Sequence, residues 1–105
     1  MSFQYTINAR GDFTPSSEQT LNRGRVVAFN LDTGADWSLV YIYSGTEPRL
    51  DSSLFGTESV RVADGGTIQS TAPIGQVFTL TVSEIPPGLD GTAGGSSGSI
   101  KVGGG

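Results

Sequence analysis

The stretch VVAFNLDTGADWSLVYIYS, residues 26–44, is the most hydrophobic part of this 105-residue chain, and its reading decides the fold. Two runs rich in β-branched and aromatic residues, Arg25 to Leu31 and Trp37 to Tyr43, flank the polar segment Asp32-Thr33-Gly34-Ala35-Asp36. Small, polar and glycine residues between two such runs signal a tight turn, so the stretch reads as a β-hairpin. Side chains alternate along a strand, which puts Val27, Phe29 and Leu31 on one face and Val26 and Ala28 on the other. Both faces are largely apolar, and the strand is expected in the centre of a sheet or between two covered surfaces. In the second run Trp37, Leu39, Tyr41 and Tyr43 lie opposite Val40 and Ile42. Either Val40 and Ile42 face the core and the aromatic row is left for a partner or ligand, or the aromatics fill the core beneath the sheet.

Outward from this stretch, further strands follow from period-two alternation. Phe3, Tyr5, Ile7 and Ala9 alternate with Gln4, Thr6 and Asn8 until Arg10-Gly11-Asp12 breaks the pattern. That tripeptide is also the adhesion motif that integrins recognise, although Gly-Asp is ordinary turn chemistry. The polar segment from Phe13 to Arg23 reads as a loop, with a short helix from Ser17 to Leu21 as the alternative, and Asn22-Arg23-Gly24 is a turn. Leu54 and Phe55 anchor a loop after Pro48. Ser59 to Val62 alternates, and Asp64-Gly65-Gly66 predicts a hairpin returning through Thr67 to Ser70. Gln76 to Ser83 is a strand with Phe78, Leu80 and Val82 inward and Thr79 and Thr81 outward. Residues 88–99 are a Gly/Ser-rich loop before a last strand, Ile100 to Val102, which closes a hairpin with Val77 to Ser83 or rests on a neighbouring subunit. The sum is an all-β, single-domain β-sandwich or jelly roll over residues 1–105, with seven to eight short antiparallel strands.

Composition narrows the function classes. The formal net charge is −4, and the six cations are scattered, with no stripe to neutralise phosphates, so no nucleic-acid partner is expected. No apolar run reaches the roughly 18 residues of a membrane-spanning helix. The chain has neither Cys nor His, which removes disulfides, thiolate metal sites and the Ser-His-Asp and Cys-His mechanisms. The N-terminus lacks the basic start and apolar run of a secretory signal, so synthesis in the cytoplasm is expected. No EF-hand spacing accompanies the Asp-bearing loops, and neither a metal nor a cofactor is expected.

Two resemblances sharpen the choices. The run from Phe29 to Asp36, with Ser38 and Val40 behind it, resembles the active-site segment of retroviral-type aspartic proteases, whose similarly short chains pair so that each lends one Asp. It implies Asp32 as the catalytic carboxylate, sharing a proton with its counterpart, and Thr33 and Gly34 as its support. The glycine-rich flap and the hydrophobic-hydrophobic-Gly segment of that family do not follow in its order. From Asp32 onward the chain is also similar to the jelly-roll subunits of bacterial endospore appendage fibres. The shared features are Asp-Thr-Gly closing a strand, Tyr43-Ser44-Gly45 ending the next, Glu58 to Val62, a Phe-bearing strand and a small-residue loop from Gly91 to Gly98. That family locks its subunits through an N-terminal cysteine arm, and this chain has none, so assembly would use strand addition and apolar contacts.

The expected function is therefore a non-catalytic structural or binding protein that self-associates into an oligomer, coat or fibre. Phe3, Tyr5 and Ile7 form the candidate self-association strand, unless that strand pairs within its own chain. The alternative is a module that binds a glycan or a protein surface, with Trp37, Tyr41 and Tyr43 as the contact surface and Asp32, Asp36 or Asp51 accepting from hydroxyls. A homodimeric aspartic protease built on Asp32 is the second alternative.

Overall fold

The computed structural model describes residues 2–45, 49–82 and 97–104. Among these residues the chain forms nine strands and no helix: β1 (Ser2–Ile7), β2 (Phe13–Thr14), β3 (Gln19–Asn22), β4 (Val26–Leu31), β5 (Leu39–Ser44), β6 (Ser59–Arg61), β7 (Gly66–Thr67), β8 (Val77–Thr81) and β9 (Gly98–Gly103). One sheet has the order β2-β1-β4-β7 and the other β3-β9-β8-β5-β6. The all-β expectation holds. The count exceeds seven or eight because the polar segment after Asp12, expected as a loop or short helix, supplies β2 and β3. Only Phe13 and Leu21 of those two strands are buried, so their alternation is too short to stand out in the sequence.

The sheets are mixed rather than antiparallel. β1 runs parallel to β4 over a six-residue register from Ser2↔Val26 to Ile7↔Leu31, and β3 runs parallel to β9. Parallel neighbours cannot be joined by a tight turn, so the chain must leave the sheet between them. It does so repeatedly. β4 belongs to the first sheet and β5 to the second, and β5 instead pairs antiparallel with β6 and β8. The predicted hairpin across residues 32–36 is therefore a crossing between sheets. The Asp64-Gly65-Gly66 turn is another: β6 lies on β5, whereas β7 lies on β4. The expected final hairpin is present, with β8 and β9 antiparallel from Val77↔Lys101 to Leu80↔Gly98. Most of the Gly/Ser-rich loop expected at 88–99 lies outside the described residues.

The inner faces of both sheets meet in one apolar cluster. The first sheet contributes Tyr5, Ile7, Phe13, Val27 and Phe29, the second Val40, Ile42, Phe78, Leu80, Ile100 and Val102, and the connections add Leu54, Phe55 and Ile68. β4 is interior to its sheet as expected, but its outer face is open, with Val26 44% exposed. Tyr5 is the centre of an aromatic group. Its ring stacks on Phe29, its register partner, at 6.1 Å and meets Phe3 and Phe13 edge-on at 5.0 and 5.6 Å. Its hydroxyl donates to the Ser99 carbonyl at 3.2 Å, tying the first sheet to β9 of the second. Gly98 lets this happen, because a Cβ there would press against the rings of Tyr5 and Phe13.

Two predictions follow from this packing. Burial pushes the Tyr5 phenol from 10.0 up to about 12. The fold thus favours the neutral phenol, and the stabilisation is complete below pH 10 and lost as the pH rises toward 12, by about 2 to 3 kcal/mol. Denaturant unfolding across this interval should show the loss in the wild type and a flatter profile in Tyr5→Phe; identical profiles would contradict it. Gly65 has φ +66°, and an added Cβ would overlap the Val27 carbonyl oxygen, whereas Gly34 has φ +85° with open space around it. Each Ala substitution carries a left-handed backbone cost of about 1 to 2 kcal/mol. Gly65→Ala should therefore destabilise by at least about 2 kcal/mol more than Gly34→Ala in chemical denaturation, since only it adds a clash with backbone. Equal losses would mean that the Gly65 crossing is not packed as described.

Candidate functional site

The two glycine-containing crossings frame a cleft at one margin of the molecule. The first begins where the β4 ladder ends, with the Asp32 amide donating to the Ile7 carbonyl at 2.9 Å. The Asp32 carboxylate then accepts from the Thr33 amide and its carbonyl from the Ala35 amide, and Gly34 takes up the left-handed conformation that closes the turn. The second begins at Arg61, whose carbonyl accepts from the amides of both Asp64 and Gly65 at 3.0 and 2.9 Å. Between them lies a cleft of about 670 Å³, walled by residues 29–31 of β4 on one side and by residues 37–39 and 61–63 on the other. That volume falls in the ordinary range for ligand sites.

Trp37 is the sequence-predicted residue that the cleft includes. Its indole N–H donates to the Asn8 carbonyl at 2.9 Å, which leaves the ring carbons as the part available to a partner. Trp37 precedes β5, so strand alternation does not govern it, and it packs against the core cluster. Tyr41 and Tyr43 lie within β5 on the face turned away from the fully buried Val40 and Ile42. Tyr43 is only 1% exposed and bridges to Leu50. Neither tyrosine is among the residues that line the cleft with Trp37.

The other candidates are placed as follows. Phe3, Tyr5 and Ile7 belong to β1, which pairs along its whole length with β4 and at Thr6 and Ile7 with β2, and Tyr5 and Ile7 are fully buried. The strand expected to reach a neighbour therefore gives one whole edge to its own sheet, and its other edge is paired only at Thr6 and Ile7. Asp32 and Asp36 are exposed, Asp32 at the crossing turn with its carboxylate turned back to the chain. Asp51 is engaged. Burial alone would raise its carboxyl, but hydrogen bonds from Ser53, Ser44 and Gln76 outweigh this and hold it below the usual carboxylate range. In Arg10-Gly11-Asp12 the Asn8 side chain accepts from the Arg10 and Asp12 amides, and the Arg10 guanidinium lies 3.1 Å from the Asp12 carboxylate. The two charges an adhesion receptor would read are turned toward each other.

Three polar residues that sequence reasoning did not single out complete the cleft: Asn30, Ser38 and Arg61, all exposed. Arg61 sits in an alternating strand like any surface cation. Its meaning emerges only when the second crossing places it opposite β4, and no local pattern announces that. No protein-family model matches the chain, and no curated protein matches its sequence.

Proposed function

We propose that this chain is a binding module that works by holding a protein partner in the cleft between its sheets. One observation carries this reading: the cleft combines an apolar lining from Phe29, Leu31, Trp37, Leu39 and Val62 with polar Asn30, Ser38 and Arg61 around it. Apolar walls supply affinity and a few placed polar groups supply orientation, which is the usual division of labour in a recognition site. Catalysis has less to work with, since Arg61 is the ionisable side chain among the described lining residues. Self-association through Phe3, Tyr5 and Ile7 has less to offer, since β1 already gives one whole edge to β4 and the side chains of Tyr5 and Ile7 to the core.

Trp37 is the chain's one tryptophan, so its emission reports directly on the cleft. When extended peptides and a glycan panel are titrated against the protein, at least one peptide should bind and shift this emission. Ala63→Arg, at an exposed lining position, should weaken that binder by about tenfold or more while leaving thermal unfolding unchanged. Binders that neither move the emission nor respond to Ala63→Arg, or no binder at all, would contradict the assignment.

A further inference from the structure

We infer that the cleft receives its partner as an added β-strand, an extended polypeptide segment lying along the open edge of β4 with an acidic side chain directed at Arg61. The inference rests on the cleft being the binding site and concerns what it binds. β7 covers the β4 edge only at Val26 and Val27. The ladder is prolonged backward by Ile68, whose amide donates to the Arg25 carbonyl at 2.9 Å. It is not prolonged forward. Among the described residues no strand pairs with this side of β4 at residues 28–31, because the chain, coming from the other sheet, joins β4 only after Gly65.

Backbone alternation fixes which groups this leaves available. The Asp32 amide points to β1, where it meets the Ile7 carbonyl, so Ala28 and Asn30 direct their backbone groups the same way. The Arg25 carbonyl points to the β7 side, so Val27, Phe29 and Leu31 direct theirs there. The amides and carbonyls of Phe29 and Leu31 therefore face the open edge, and both residues line the cleft. An unpaired run of this kind is a template for another strand. It accepts a polypeptide in a way that it does not accept a sugar, because the match is between two backbones.

The facing wall sets the side chains. A strand laid beside β4 directs alternate side chains toward Trp37, Leu39 and Val62, which favours apolar residues there. Arg61, exposed and without an ion pair among the described residues, lies at the same wall and favours an Asp or Glu two positions away in the added strand. On a protein of net charge −4, an acidic segment needs such a local cation to approach.

The test uses a displayed library of unstructured heptapeptides selected on the intact protein. Selected peptides should alternate apolar and polar residues with one acid. Bound, they should slow amide hydrogen exchange at Phe29 and Leu31. In the best peptide, N-methylation of a residue whose amide pairs with the edge should weaken binding by about 100-fold, while N-methylation of its neighbour should change it by less than about threefold. Arg61→Gln, at an exposed position, should weaken it by about tenfold with unchanged unfolding. Peptides that shift Trp37 emission yet tolerate N-methylation at every position would overturn strand addition and leave the cleft as a binding site. A glycan that shifts the emission when no library peptide does would overturn both strand addition and a protein partner. Slowed exchange at Phe29 and Leu31 on raising the protein concentration alone would give the edge to a second copy and overturn a separate partner. If nothing perturbs the cleft, both conclusions fall.

Discussion

The parallel pairing of β1 with β4 is the constraint on which the rest of the structure depends. It occupies one edge of the most apolar strand with the N-terminal strand, register by register from Ser2 to Ile7, and stacks Tyr5 on Phe29 across the pair. The segment after Leu31 is then drawn over the end of β1: the Asp32 amide is held by Ile7, and the Trp37 indole by Asn8 in the turn that follows β1. With both ends of the connection anchored there, β5 joins the other sheet. Each sheet gains strands that are distant in sequence, and the interior closes between them.

The same arrangement disposes of the edges. The outermost strands are β2, β7, β6 and β3, of two, two, three and four residues. Short edges offer little template for uncontrolled pairing. Among the described residues, edges stay open at Ser2–Tyr5 of β1, which β2 does not reach, and at the β4 margin beyond Val27, where β7 ends and the two crossings hold the walls apart. Of these, the β4 margin is the one that lies beside a Trp-lined cleft, and that coincidence is the physical basis of the binding proposal.

Much of this was legible in the residues themselves. Alternation marked β1, β4, β5 and β8 and the last strand, and it put Phe78 and Leu80 inside. Glycines at 11, 24, 34 and 65, which the sequence placed in turns, all take positive φ. What local sequence does not encode is the partner. Asp-Thr-Gly-Ala-Asp serves equally well as a hairpin tip or as a crossing, because the turn chemistry is the same and the choice is made by Asn8 and Ile7, more than twenty residues away in the chain. Phe3, Tyr5 and Ile7 show the same limit: an amphipathic strand looks identical whether its acceptor is a neighbour or, as for one edge here, its own β4. The site followed suit, since Trp37 was visible as an aromatic but Arg61 became meaningful only through the fold.

The central claim, that β4 pairs with β1 while β5 lies in the other sheet, is tested most directly by backbone nuclear Overhauser contacts in the isotopically labelled protein. The account predicts interstrand contacts in the register Tyr5↔Phe29 and Ile7↔Leu31, with β5 showing contacts to β6 and β8 at Val40↔Val60 and Ile42↔Leu80. Cross-strand contacts between β4 and β5, running antiparallel through the 32–36 turn as a hairpin requires, would contradict it.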